Sequence, residues 1–430
     1  MKTKILLLLF FIIYFFIGCS VNPVTGKKEL SLMSESKEKS IGEQYYPYYT
    51  QMQDGEIQDK RLQEYVKDVG NRLAQHTHRL NLNYEFNVVN SSIPNAYAIP
   101  GGKISITRGL LMRLENEDQL AGVLAHELGH VNARHTASQY TKSILAQSLL
   151  MGVAYYLDKK DTKYKDLYLA AGAFGTQLLL LKYSRDDERE ADSLGMEYMT
   201  KAGYNPQAFV DVLNVLQSLS SKEPSKWEAL LSTHPLTSER IQLAQNNLNN
   251  YKEAINRPYQ VNNYKVALSN LKANEEAYKL FDKGYSLYNQ NKLKEAQEYF
   301  IQAINKYPEE SLFYSYAGLT CLKMNDDNNA LVNGINAVNL YPEFFNARFV
   351  RGISEVRLKK YSESLEDLQK ANLLVPDNPL VIFYLAVALD NTGDKNNALQ
   401  NYQKVLQLSQ EKEIVEYAKS RIAVLSGNVR

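Results

Sequence analysis

Apolar residues along this 430-residue chain recur with periods that change from block to block, and those changes divide it into segments. Ile5 to Ile17 is an unbroken apolar run behind Lys2 and Lys4. Its 13 residues are too few for a helix spanning a bilayer, which needs about 20, but suit the core of an export signal. Asn22-Pro23 and Thr25-Gly26 are turn-forming pairs, so residues 20–34 read as a tether between that signal and the fold. A helical period begins near Glu35, and from Ile57 to Gln75 it sets Leu62, Tyr65, Val66, Val69 and Leu73 on one face. The period then shortens to two. Tyr84 to Val88 alternates as a strand does, and Ala96–Ile99 and Lys103–Thr107 flank Pro100-Gly101-Gly102, which predicts a hairpin. A Leu- and Ala-rich helix is predicted through Leu120 to Asn132. Ser143–Leu157 and Leu167–Leu181 are apolar stretches of 15 residues, each carrying a Gln. Their length favours buried helices, although a membrane hairpin returning to the same side has the same pattern.

Past Tyr251 the chain repeats itself. Gly284, Gly318 and Gly352 are 34 residues apart, as are Pro308, Pro342 and Pro376, and Ala303, Ala337 and Ala371. Ala296, Ala330, Ser364 and Ala398 form a fourth series with the same step. A period of about 34 with small residues at helix crossings and Pro at the junctions is the tetratricopeptide signature. Gly and Ala let the paired helices approach, and Pro cannot continue a helix. The last unit departs at Ala386, where the others have Gly, and Glu411–Leu425 reads as the capping helix a repeat stack requires.

Composition narrows the function. Lys+Arg of 49 against Asp+Glu of 48 gives a net charge of +1, so nothing in the balance suggests a nucleic-acid partner, which needs a concentrated basic surface. The 31 tyrosines supply helix packing surface and rings able to hold peptide. Phe16-Ile17-Gly18-Cys19 at the end of the apolar run resembles a bacterial lipobox, with Cys19 as the acylated residue. Two or three acyl chains there would anchor the protein stably. Cys321 is then left without a disulfide partner and reads as a small core residue.

The chemistry is concentrated in His126-Glu127-Leu128-Gly129-His130. Residues four apart share a helix face, so both imidazoles reach one ion and Glu127 stands beside it to activate a water. Leu120, Val123, Leu124, Leu128 and Val131 around the motif are at odds with a solvated face. A catalytic zinc takes three protein ligands and keeps one position open. A third His six residues on is absent, since Thr136 stands there and His135 is out of register. The alternative is a Glu on a later helix, where Glu188 and Glu190 compete. Glu188 has Asp192 four residues on, placed to hydrogen-bond a liganding imidazole, whereas Glu190 points about 200° away and has no such helper. The expected ligands are therefore His126, His130 and Glu188, with Glu127 as base and Asp192 as the orienting carboxylate.

Asn22-Pro23-Val24-Thr25-Gly26, Asn95 to Gly102, the His-Glu-x-x-His string, Glu188-x-x-Ala191-Asp192 and Ser232-Thr233-His234-Pro235 together resemble the HtpX and CAAX-prenyl-endopeptidase family of gluzincins. With the lipobox-type signal and the repeats, the chain is most similar to the periplasmic BepA-like branch. The resemblance implies a mainly α fold with a small sheet (α+β), a single zinc, and endopeptidase action on unfolded or misassembled envelope proteins. In that branch the clients are outer-membrane proteins at their assembly machinery. It also brings His234 and Arg240 in beside the zinc as catalytic candidates. His234 is expected either to steady the oxyanion or to fill the open zinc position and hold the enzyme latent. A peptidase must hold its substrate extended, which an open sheet edge does by adding a strand. Ala96, Tyr97, Ala98 and Ile99 are the candidate edge, with an ordinary core hairpin as the other reading.

The expected organisation is a signal over 1–19, a tether over 20–34, a metalloprotease domain over 35–255 and a connector over 256–276. About four tetratricopeptide repeats forming an all-α superhelix then fill 277–430. The expected product is an exported zinc endopeptidase on the periplasmic face, lipid-anchored, with the outer membrane favoured. Its repeats would recruit clients or assembly partners. The rivals are a catalytically silent scaffold or chaperone acting through the repeats, and a membrane-embedded protease.

Overall fold

The computed structural model describes residues 19–145, 182–222 and 224–427. The export signal up to residue 18 therefore lies outside the described residues, and so do the second apolar stretch and all but Ser143–Leu145 of the first. Among the described residues no helix is long and apolar enough to cross a membrane. The chain divides into one unit of residues 1–46 and 59–268 and another of 47–58 and 269–430.

In the first unit the segment read as a tether is folded. Strands β1 (Cys19–Val21) and β2 (Lys28–Leu30) pair antiparallel, and Asn22 Oδ1 closes their turn by accepting from the Val24 and Thr25 amides at 2.9 and 3.1 Å. Helices α1 (Glu35–Met52) and α2 (Lys60–Ala74) follow, the second capped by Asp59, whose side chain accepts from the Leu62 amide. The predicted strands form one three-stranded sheet of β3 (Glu85–Val89), β4 (Ala96–Ile99) and β5 (Lys103–Thr107) in the order β3-β5-β4. β3 runs parallel to β5 and β4 antiparallel. The alternation expected of β3 is not seen in its exposure, because four of its five residues are buried. Phe86 is held so tightly by α2 that a Cβ on Gly70 would come within 2.4 Å of its ring. Gln63 of α2 closes the outer edge of β3 with two 2.8 Å bonds to the Val88 backbone.

Helix α3 (Glu117–Asn132) is buried along its whole length, capped by Asn116 accepting from the Gln119 amide. α4 (Arg185–Lys201), α5 (Gln207–Lys222), α6 (Pro224–Thr233) and α7 (Ser238–Asn247) complete the core. The unit continues to Leu268. Gln260 accepts from the Glu117 amide and donates to Asp118, Asn205 donates to the Ile255 and Arg257 carbonyls, and the Tyr264 hydroxyl donates to the Leu111 carbonyl.

The second unit is a helical stack of tetratricopeptide form. First helices of its repeats are α8 (Glu275–Asn289), α10 (Ser311–Lys323), α12 (Phe345–Arg357) and α14 (Pro379–Asn391). Second helices are α9 (Leu293–Lys306), α11 (Asp327–Leu340), α13 (Tyr361–Leu374) and α15 (Lys395–Leu408), starting every 34 residues. α16 (Lys412–Leu425) follows where the capping helix is predicted. Within each repeat the turn carries a left-handed residue, Asn291, Asn325, Lys359 or Gly393, with φ of 59°, 60°, 63° and 92°. At the crossings a Cβ on Gly284 would meet the Phe300 ring at 2.7 Å and one on Gly352 the Leu368 side chain at 3.0 Å. Cys321 is buried, and burial pushes its thiol up to about 11. Residues 47–58 pack with the repeats. Gln51 bonds the Phe345 amide at 2.8 Å and the Glu343 carbonyl at 2.9 Å, and the Tyr316 hydroxyl donates to Asp54 at 2.8 Å.

Candidate metal centre

α3 and α4 cross at small residues. A Cβ on Gly129 would come within 2.8 Å of the Ala191 carbonyl oxygen, and one on Gly195 within 3.0 Å of the His126 amide. That close approach brings the start of α4 against the His-Glu-x-x-His face. α4 itself is fixed by a capping box between Ser184 and Asp187.

Four side chains converge there. His126, His130, Glu188 and His234 each present one ligand atom, all within 4.8 Å of one another. His126 Nε2 lies 3.1 Å from His130 Nε2, and the Glu188 oxygens are 3.6 Å from the first and 3.4 Å from the second. His234 Nδ1 completes the group, 3.4 Å from His126 Nε2 and 3.0 Å from Glu188 Oε1. A tetrahedral zinc with bonds of about 2.0–2.1 Å separates its ligand atoms by about 3.3 Å. The residues fit the ion by donor type, by burial and by spacing. Burial holds the His130 imidazole well below its usual range. Burial also opposes ionisation of Glu188, yet His234 and His130 beside it hold its carboxyl well below the ordinary carboxylate range. Burial likewise opposes a charge on His234, but Glu188 and Glu127 raise it.

Around the group stands a buried frame. Asp192 Oδ1 lies 3.0 Å from His126 Nδ1 in a short but oblique contact. Arg240 grips Asp192 through two bonds of 2.8 and 2.7 Å, donates to the Pro235 carbonyl at 3.0 Å, and reaches within 2.5 Å of Glu188 Oε2. Glu127 is buried, its Oε1 is 3.8 Å from His234 Nε2, and its Oε2 has no hydrogen-bond partner. An apolar cleft opens beside Glu127 and His126, walled by Val123, Phe209, Leu213 and Leu230. Ala96, at the head of the outer strand β4, lines the same cleft. Tyr97, Ala98 and Ile99 continue along that strand. Cys19 opens β1.

Three neighbours escape the sequence reading. Tyr183 stacks on the His130 ring at a centroid distance of 3.9 Å, and its hydroxyl lies 3.1 Å from Thr136 Oγ1. His135 Nδ1 lies 2.9 Å from His130 Nδ1, and His135 Nε2 is 3.2 Å from Glu190 Oε2. The one available signal was the pair of surplus polar residues, His135 and Glu190, each considered only as a zinc ligand.

Residues 60–247 match peptidase family M48, and residues 280–310 and 380–409 match the tetratricopeptide repeat. The beta-barrel assembly-enhancing protease of Yersinia pestis is 30% identical over 233 residues, covering 54% of this chain and 48% of that protein. The protein of the same name from Escherichia coli K12 is 28% identical over 242 residues, with the same coverages of 54% and 48%. The mitochondrial metalloendopeptidase OMA1 of Schizosaccharomyces pombe is 29% identical over 235 residues, covering 53% of this chain and 66% of that one. The matches thus span about half the length of the first two relatives. The chain carries an M48 peptidase domain followed by tetratricopeptide repeats.

Proposed function

We propose that this chain is a zinc-dependent endopeptidase of the bacterial cell envelope that cleaves unfolded or misassembled envelope proteins. The observation that carries the reading is the buried His126–His130–Glu188 cluster at tetrahedral spacing with Glu127 beside it. When bound, zinc supplies Lewis acidity toward a peptide carbonyl and an activated water. Glu127 is the base. Its free Oε2 takes the proton from the attacking water and passes it to the leaving amine. Asp192, clamped by Arg240, orients His126.

His234 Nδ1 lies among the other three ligand atoms, which supports a role as a fourth ligand that would keep the resting enzyme latent over a role at the oxyanion. β4 is an outer strand whose Ala96 borders the cleft, which supports substrate addition along Ala96–Ile99. Such an edge reads backbone, so selectivity falls to the repeats. The names of the Yersinia and Escherichia relatives support beta-barrel assembly as the setting, with clients or assembly partners held by the repeats. The lipobox-like Phe16-Ile17-Gly18-Cys19 supports an acyl anchor at Cys19 on the periplasmic face. All four cluster residues and Glu127 are present, so nothing favours a silent scaffold. The test is metal content and casein cleavage of the purified protein. Glu127→Gln should abolish cleavage and leave about one zinc per chain in place, because the base is lost and the ligands are kept. Metal loss in Glu127→Gln as deep as in His126→Ala would overturn these roles.

A further inference from the structure

The zinc reading assigns ligands but leaves His135 and Glu190 without work. His130 is followed by the end of α3, and the chain then reverses at Arg134, whose φ is +58°. That left-handed residue is pinned by three 2.6 Å contacts of its guanidinium, to Glu38, Ser20 and the Met33 carbonyl. The reversal returns His135 beneath His130, where it is 3% exposed. On an uninterrupted helix, residues five apart would be offset by about 140° and would not meet.

We propose that Glu190 and His135 form a positioning relay that sets the tautomer of His130 and so aims its Nε2 lone pair at the metal. The inference rests on the zinc reading. Two ring nitrogens 2.9 Å apart require one N–H and one bare nitrogen between them. A Glu190 carboxylate can only accept, so the His135 nitrogen facing it, Nε2, carries the proton. The Nδ1 of a neutral His135 ring is then bare and accepts from His130 Nδ1–H. That leaves His130 Nε2 without a proton on the side of His126, Glu188 and His234. Polarity runs one way along the chain, His130 donating to His135 and His135 to Glu190. Tyr183, stacked on the His130 ring, keeps it in the plane this requires. Neither His135 nor Glu190 touches the reacting atoms, so both are positioning residues. Asp192 stands 3.0 Å from Nδ1 of the other imidazole ligand, His126.

The test is zinc affinity of the full chain, measured by chelator competition, with imidazole nitrogen NMR of the chelator-treated, metal-free protein. His135→Phe preserves the ring and removes the acceptor, and should weaken zinc by about 10- to 100-fold, the range for orienting partners of metal ligands. His135→Asn returns an acceptor near the Nδ1 position and should recover most of that loss. Glu190→Ala should weaken zinc less than His135→Phe, and its His130 should show a mixture of tautomers where the native protein shows only Nδ1–H. A purely structural role would lower the melting temperature of His135→Phe while leaving affinity and tautomer unchanged, and that result overturns the relay. Equal losses in His135→Phe and His135→Asn overturn it too. A native chain that binds no zinc would instead remove the zinc reading itself.

Discussion

Replacing Arg240 with methionine keeps an unbranched apolar stem and removes the cation that holds two buried carboxylates together. Arg240 is 5% exposed, and its partners Asp192 and Glu188 are 6% and 0% exposed. Two bonds to Asp192 and a 2.5 Å approach to Glu188 disappear together. Removing one member of a buried ion pair costs about 3–5 kcal/mol, because the survivor is left desolvated and unpaired. At about 2–4 °C per kcal/mol for a domain of this size, metal-free Arg240→Met should melt roughly 6–20 °C below the native protein at about pH 8. The pH dependence has a defined sign. Burial alone would raise the Asp192 pKa, and Arg240 beside it brings it below the ordinary carboxylate value. In the native protein this stability is therefore present above the unfolded carboxyl range near about 4 and is lost as pH falls toward the folded value. Without Arg240 burial dominates, the folded pKa rises, and the penalty is greatest at high pH. The melting gap should therefore narrow as pH is lowered from about 8 toward about 5. Asp192→Asn added to Arg240→Met should restore a large part of the loss, since removing both partners of a buried pair is often near neutral. Calorimetry on chelator-treated protein is the assay. A gap below about 2 °C at about pH 8, or one that widens on acidification, refutes the frame as the source of stability.

His234→Ala opens the fourth vertex and should raise casein cleavage several-fold if His234 keeps the resting enzyme latent, whereas a fall of about 100-fold or more in kcat would mark an oxyanion role. Gly129→Ala forces a Cβ to within 2.8 and 2.9 Å of Ala191 backbone atoms that cannot yield. It should cost about 1–3 kcal/mol and lower zinc occupancy, read by thermal melting and metal analysis. A chain stopped at Tyr251 loses the backbone partner of Glu117 and the Gln260 amide on Asp118 at the start of α3. It should bind zinc more weakly than one stopped at Leu268, as chelator competition will report.

Legibility was greatest where sequence expressed a period. The 34-residue step located α8 to α16, because each small residue it tracked stands where two helices touch, as Gly352 does against Leu368. A further series, Asn291, Asn325, Lys359 and Gly393, obeys the same step and marks the left-handed turn inside every repeat. Lys359 hides that series from composition, since lysine is not a residue that turns select. The turns at Asn22 and Gly26 were visible as turns, but their being part of a strand pair was not. Strand pairing depends on partners, here Cys19 with Leu30 and Val21 with Lys28, and local composition does not encode them. Residues 47–58 are the sharper case. Gln51 and Asp54 meet Phe345 and Tyr316 across more than 250 positions of chain, a distance no window can sense.

The metal centre follows the same rule. Helical phase brings His126 and His130 to one side of α3, and the same geometry on α4 turns Glu188 and Asp192 inward. Phase also turns Glu190 away from that side, which sufficed to set it aside as a ligand. Helical phase is lost at Arg134, because it holds only while the helix does. Arg134 adopts a left-handed backbone that its residue type does not favour, and Glu38, Ser20 and Met33, remote in sequence, grip its side chain there. Past that reversal, His135, out of register for binding the metal directly, is in contact with the ligand His130 instead. Glu190, pointing away from the cluster, meets it. Two residues rejected for the same site on separate grounds are joined by a turn whose Arg134 side chain is held about a hundred residues upstream, by Glu38 of α1 and by Ser20 and Met33 of the segment that composition marked as a tether.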